Sequence, residues 1–577
     1  MPAQGADRRA ARNKAGIGIG VSLSRTPQIE RVSTVKTSNK WSKFISSLML
    51  ACAVSACGSP GGKKPQEPGI QTPAVTPGSD ESPGASPPQD GETQSPAGEP
   101  GSGTQTAEGT PGASSPSQPP GGSTTAESPV TTPTYKRVWV VSPSGNDAAS
   151  GSDTAPLKTI SQAISLAGPG ELIRVRAGIY RERVLITGAV RNGTAAEPIT
   201  LLGEGMPRIS PGSQTGAQMV VERSNWIIRG FNIDLENKPA FGVAFTGNVQ
   251  GTLLADSEIH NATYGAGVSF HYSATGATLE NNHIHHIAIP GDDAHGVLVQ
   301  PTARNITIRN NNIHDNSGDA IQCYSEDGSV PSAPADGVLI EGNDLYNNIE
   351  QSLDIKTCYN VTVRRNKMHH ARFYPGRGGN GAMVVHMSAK NILIEDNDFY
   401  DSGVAIGVGG NHYGPVPSGV VIRRNLIHDM ITDGGMTGGG LLMANSTGTQ
   451  VYNNTFTRLA GPALSVGSGD GGPTENLVLK NNIIDAAYVL KLGSQAPGLK
   501  MNTNLYRTGG SFKSGSSSWN LPQWKEKGQD GNSLEAGTVL SNVDTLAPAS
   551  AAVDRGENLG LKFCGAAPDI GAVETGC

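Results

Sequence analysis

Between residues 279 and 487 one pattern of apolar and polar positions keeps returning: an apolar residue, a polar pair, an asparagine, any residue, an apolar residue. It reads "LENNHIHHI", "IRNNNIHDN", "IEGNDLYNN", "VRRNKMHHA", "IEDNDFYDS", "IRRNLIHDM", "VYNNTFTRL" and "LKNNIIDAA". Aligning Asn282, Asn311, Asn343, Asn366, Asn397, Asn425, Asn454 and Asn482 gives spacings of 29, 32, 23, 31, 28, 29 and 28. Units this short cannot bury their own apolar face, and their spacing tolerates insertions, so they predict coils stacked into a solenoid with loops outside. With the flanking units, roughly ten coils are expected, about 4.8 Å apart as neighbouring strands are. An Asn at one place in every coil predicts an amide ladder that pairs the coils above and below. His260, His285, His314, His369 and His428, with Tyr346 and Tyr400, form a second column. It reads as a solvent-facing stack rather than a metal ladder, because tyrosine interrupts it.

Before the repeats, "VWVV" alternates as a strand and leads through a Gly/Asp/Ser-rich loop into a short amphipathic helix. Ile160, Ala163, Ile164 and Ala167 share one face of that helix, which would close one end of a stacked sheet. The stretch carries "VSPSGND", "KTI", "PG" and "VRAGIY", and the far end carries "PASAAVDRG" and "DIGAVE". In these motifs the chain resembles secreted right-handed parallel β-helix proteins of the pectate lyase-like superfamily. The resemblance implies an all-β solenoid with an N-terminal capping helix and a closing segment that covers the exposed strand edge. The expected divisions are 1–56 signal, 57–134 linker, 135–225 cap and first coils, 226–510 repeats and 511–577 closing segment.

Composition narrows the setting. Net charge is −6 and the basic residues are scattered, so nothing predicts a nucleic-acid partner. Residues 44–57, "FISSLMLACAVSAC", follow Lys36, Lys40 and Lys43 and end in small residues, as a secretory signal does. The run falls short of the about 20 residues that span a bilayer. "VSAC" resembles the lipobox of bacterial lipoproteins, which implies cleavage before Cys57, lipid on its sulfur, and a place in the cell envelope or outside the cell, joined to a bacterial membrane by that anchor alone. Residues 58–134 are largely Pro, Gly, Ser, Thr and Gln with almost no large apolar side chains, and so predict a disordered tether. At about 5–6 Å × √n it would reach on the order of 50 Å. Cys323, Cys358, Cys564 and Cys577 remain, an even number where disulfides are permitted, and Cys564–Cys577 and Cys323–Cys358 are the expected pairs, with buried thiols as the alternative. A monomer is expected.

All twelve histidines fall between His260 and His428, in the middle coils. There "NIEQSLDIKTC" puts Leu353 and Ile355 inward and Asp354 and Lys356 outward. The coil before offers Gln322 and Tyr324 at matching positions; the coil after sets His386 over Lys356, beyond the insertion "HHARFYPGRGGNGA". "GVAIGVGGNHYG" then supplies Gly407 and Gly409 as an open floor, with His412 beside it. A groove follows, lined by Tyr324, Lys356 and His386 as well as Gln322 and His412, walled by Arg372 and Arg377, with Asp319, Glu350 and Asp354 at its side.

Those residue types suit β-elimination in a uronate polysaccharide, which neutralises the sugar carboxylate, removes the C5 proton and supports the leaving oxygen. Calcium on Glu350, Asp354 and Asp319, or an arginine, serves the first need; a neutral lysine serves the second; His386 or Arg377 serves the third. "EQSLDIKTCYNVTVRRN" with "VVHMSAKN" resembles the central coils of the chondroitinase B and alginate lyase family. The resemblance implies Lys356 as base and Glu350 as a calcium ligand; a second acidic ligand would fall near Ser352, and His386 stands where the family has an arginine. The dense aspartate cluster of calcium-dependent pectate lyases is missing. A glycoside hydrolase using Asp319 and Asp354, or a non-catalytic polysaccharide-binding or adhesion protein, are the alternatives.

Overall fold

The computed structural model describes residues 134–271, 273–324, 333–375, 381–409, 415–467, 472–493 and 496–577. The signal, Cys57, most of the linker, Arg377 and His412 lie outside the described residues.

The coils contribute short strands to three sheets, one of 17 strands and two of 14, three coils giving two strands apiece to the largest. Pairing between successive coils is parallel and in register: Ile308 faces Ile340, which faces Val363, then Ile394, Ile422 and Val451. The alternation of the pattern decides which side chains enter. In one 14-stranded sheet the central residue of the three-residue strands, such as Ile313, Leu345, Met368, Phe399 and Ile427, is fully buried; in the other the flanking residues are, as Leu353 and Ile355 are on either side of Asp354. Burial of these stacked apolar rows is the main force holding coil to coil.

The polar pair before each ladder asparagine has a conformational role. Its second member takes a left-handed backbone, with φ of 57° at Asn310, 57° at Asp396 and 52° at Arg424, turning the chain from one sheet to the next. The following Asn is buried and makes the ladder. Asn311 donates its backbone N–H and its Nδ2 to Asn343 Oδ1, both at 2.9 Å, while Nδ2 also reaches the Leu279 carbonyl at 3.0 Å. The same contacts repeat through Asn397 and Asn454 to Asn504, whose N–H donates to Ser533 Oγ. Turn donors that would otherwise be buried and unpaired are thereby satisfied.

The helix is Ile160–Leu166, capped by Thr159, with Ile160, Ala163 and Ile164 buried. The solenoid has about twelve turns rather than ten, since the strands Val184–Ile186 and Met219–Val221 already lie in the stack but belong to coils without the Asn line. The far end is closed by the antiparallel strand Ser517–Trp519 and the helix Leu521–Lys525, whose Trp524 stacks on Phe512 at 5.2 Å. The last forty residues do not sit over that end. They return along the late coils, where Asn453 and Asn481 bond the Asp569 and Glu557 carbonyls, and Leu540, Leu546 and Ile570 pack with Ile483 and Leu505. Cys323 is joined to Cys358, and Cys564 to Cys577. No helix among the described residues is long and apolar enough to cross a membrane.

Candidate functional site

Four consecutive strands of one 14-stranded sheet, Ile321–Cys323, Leu353–Ile355, Met383–Val385 and Val404–Val408, place the central residues. Gln322 lies opposite Asp354, then Val384 and Gly407. One step further along each strand, Tyr324, Lys356 and His386 follow one another up the stack. The Lys356 N–H bonds the Cys323 carbonyl and the His386 N–H bonds the Ile355 carbonyl.

Asp354 is the hub. Its Oδ1 is 2.9 Å from His386 Nε2, and its Oδ2 is 4.0 Å from Lys356 Nζ and 3.5 Å from Gln322 Nε2. Burial alone would raise its pKa, but the charge and hydrogen bond of His386, with Lys356 behind, hold it below the usual carboxylate range. Lys356 Nζ also sits 5.9 Å from the centre of the Tyr324 ring.

Asp319 is fully buried, with Oδ1 accepting from the Gln351 N–H at 2.9 Å and Oδ2 from Gln322 at 2.8 Å. Burial, then the Asp354 charge, push its pKa well above the ordinary value. Glu350 behaves likewise: burial first, then Asp319 and Asp293, push it up to about 8. His295 completes the group. Its Nδ1 accepts the Asp319 N–H at 3.0 Å and lies 3.2 Å from Asp319 Oδ2. A nitrogen that accepts a backbone N–H cannot also donate to the carboxylate, and burial pushes the imidazole pKa down, so this contact is not an ion pair.

Four carboxyl groups therefore act on one another here, against one lysine and one exposed-side histidine. Asp293 and His295 are not among the residues the sequence pattern singles out, although "GDDAHG" carries them one coil before Asp319. The donors are hard oxygens whose mutual repulsion a cation would relieve, which suits calcium chemically. Their oxygens are not gathered as closely as a preformed site would have them: among the described residues the group of three donors converging within 4.8 Å is elsewhere. Ser352 is buried, and its hydroxyl donates to the Leu345 carbonyl.

Two expectations change. Arg372 is engaged by Asp401, at 2.9 Å from Oδ1 and by a bond to the Asp401 carbonyl, so it is not a free groove wall. Gly407 leaves open floor, since a Cβ there would meet Val384 at an ordinary 3.5 Å. Gly409 does not: its φ is +84° and a Cβ would strike the Ala444 carbonyl oxygen at 1.6 Å, so this glycine serves the backbone. Beside the group, Ile289, Ser317, Ile349, Tyr374 and Pro375 line a cavity of about 350 Å³.

On the other 14-stranded sheet the second column stacks as a ladder of rings. From His260 through His285, His314, Tyr346, His369 and Tyr400 to His428, centroids are 5.2, 5.3, 4.6, 4.9, 4.6 and 5.5 Å apart. Carboxylates on preceding coils brace it: His369 Nε2 lies 2.8 Å from Asp344 and His428 Nε2 2.9 Å from Asp398.

Comparison with known proteins adds the following. Residues 208–332 and 377–511 match the family model described as right handed beta helix region. An uncharacterized protein of Bacillus subtilis, YwoF, is 24% identical over 352 residues, covering 59% of this chain and 67% of its own. Pectate lyase PEL9 of Emericella nidulans is 26% identical over 221 residues, covering 37% of this chain; the chain spans 48%, about half, of that enzyme's length. Among solved structures, pectate lyase Pel9A is 16% identical, with 76% of this chain and 97% of that chain covered and a TM-score of 0.39.

Proposed function

We propose, for a chain that is a right-handed parallel β-helix protein of the pectate-lyase-like kind, an extracytoplasmic lipoprotein anchored through Cys57 that cleaves uronate-containing polysaccharide by β-elimination. The observation that carries this reading is the outward column of Tyr324, Lys356 and His386 beside the buried carboxyls of Asp319, Glu350 and Asp354. A groove with those groups recognises an acidic sugar by charge and acts on a weakly acidic carbon.

In this reading Lys356 as the neutral amine takes the C5 proton. The C5–H electrons form the C4=C5 double bond and the C4–O bond breaks. His386, oriented through Nε2 by Asp354, protonates the departing oxygen from its other ring nitrogen. Tyr324 stacks against a sugar ring, and the bare Gly407 admits the chain. Asp319 and Glu350 are the residues that would hold calcium, which when bound would neutralise the uronate carboxylate. Asp354, already satisfied by His386, is assigned to orienting rather than to metal binding.

A second reading rests on the split between Glu350, pushed up to about 8, and Asp354, held low. Two carboxyl groups with opposed shifts are what a glycoside hydrolase uses as acid and base. The full chain and its Lys356→Ala variant, offered pectate, alginate and chondroitin or dermatan sulfate with calcium or a chelator, separate the two. Ultraviolet absorbance of an unsaturated uronate from wild type alone is the expected result. New reducing ends without that absorbance would sink elimination in favour of hydrolysis, and no product from the folded chain would leave a binding protein.

A further inference from the structure

The geometry points to a second site: Glu258, His260 and His285 bind a divalent transition ion of the zinc class on the outer face of the sheet that carries the stacked rings. It is independent of the lyase reading.

Glu258 and His260 are alternate residues of the strand Glu258–Ala262 and so share a face. His285, on the next coil, is the register partner of His260. The strand spacing thus fixes a compact three-cornered donor set: Glu258 Oε1 lies 3.1 Å from His285 Nε2, and the ligand atoms of all three residues fall within 4.8 Å of one another. Two imidazoles and one carboxylate suit zinc rather than calcium, and three protein ligands leave a fourth position open. That position faces outward, where the exposed His283 stands opposite Glu258 with its ring centre 4.2 Å from that of His285.

The supporting contacts are those a metal ligand needs. Asn232 donates to Glu258 Oε2 at 2.5 Å, and its Oδ1 lies 3.1 Å from His260 Nε2. His285 Nε2 donates to Glu258 Oε1, and His286 Nδ1 is 2.6 Å from His285 Nδ1, so an ion taken up at Nε2 displaces that proton and leaves His285 protonated on Nδ1, where His286 Nδ1 can accept it. His260 binds in the tautomer protonated on Nδ1, the ion replacing its contact with Asn232. No other part of the column can do this among the described residues. At His369–Asp344 and His428–Asp398 the adjoining rings are Tyr346 and Tyr400, which leaves one imidazole per carboxylate. Tyrosine does break the column as a continuous metal ladder, but only from Tyr346 onward, two coils beyond His285.

The test is calorimetric titration of the chelator-stripped full chain with Zn²⁺, with Co²⁺ spectra reporting the donor set. One equivalent is expected to bind. His285→Ala and the shape-conserving Glu258→Gln should each weaken binding by more than the about 10–100-fold expected for the supporting variant Asn232→Ala. His369→Ala, in the same column, should bind as wild type does, and melting curves of all four variants establish that they are folded. Failure of the folded wild type to bind, or unchanged affinity in folded His285→Ala and Glu258→Gln, overturns the proposal. So does a loss in Asp319→Asn with binding retained in His285→Ala, which would put the ion at the other cluster.

Discussion

Two outward-facing columns, on two sheets of the same solenoid, follow opposite rules. The ring column repeats itself: a planar side chain stands on each coil from His260 to His428, and neighbouring rings pack 4.6–5.5 Å apart. The other column changes at every coil, from Tyr324 to Lys356 to His386 to Gly409, and buries carboxyl groups that repel one another. A repeated residue finds its own kind above and below, so repetition stabilises the stack whatever else the protein does. A column that gives up repetition and accumulates buried charge loses stability by doing so, and such a place is where chemistry is to be sought.

The comparison can be broken in four places. Lys356→Ala carries the largest expected effect: lyase activity should fall by about 10²–10⁴-fold, while the melting temperature stays near that of wild type. A variant that melts early, or keeps its rate, would move Lys356 to the structural side. Asn397→Ala should do the reverse, since removing one rung orphans buried donors and acceptors on two coils. A loss of about 2–4 kcal/mol in denaturant unfolding is expected for the groups left unpaired, and an unchanged midpoint would refute the ladder's role.

Next comes the titration of Glu350. Its folded pKa of about 8 lies above its ordinary value of 4.5, so its contribution to stability is fully present below about 4.5 and is lost as pH rises through about 8. In chelator, stability should decline across that window by up to about 1.4 kcal/mol per pH unit, and Glu350→Gln should flatten the decline. If calcium binds there, it should raise the melting temperature more at pH 8 than at pH 5; equal shifts at both would place calcium elsewhere. The smallest effect belongs to Tyr346→Ala, which removes two ring contacts, to His314 at 4.6 Å and His369 at 4.9 Å. A destabilisation of about 1–2 kcal/mol is expected by denaturant unfolding, with activity untouched.

Much of the fold was legible because a solenoid writes its period into the chain. The Asn line gave the register, and the register put Asp354 beside Gln322 and His386 above Lys356 before any coordinates were known. The first coils escaped because they lack that line, which is why twelve turns were read as ten. What stayed hidden in the site lies in or beside the insertions, where the repeat gives no register. Asp293 reaches Glu350 from an insertion whose length no periodicity fixes, and His295 opens the strand His295–Val299 that follows it. The pairing of Arg372 with Asp401 likewise depends on where a loop lands, and the backbone need for Gly409 depends on Ala444, in the coil that follows.

The bridge from Cys323 to Cys358 has a mechanical consequence. Coils that touch only their neighbours come apart as a zipper does, from a free end inward, one interface at a time. A covalent staple between two consecutive turns stops that front. Because the stapled cysteines stand directly before Tyr324 and two residues after Lys356, the boundary it locks is the one on which these two side chains meet. Fraying from either end can therefore advance to this boundary, but the two coils that face each other across it stay together while the bond is intact.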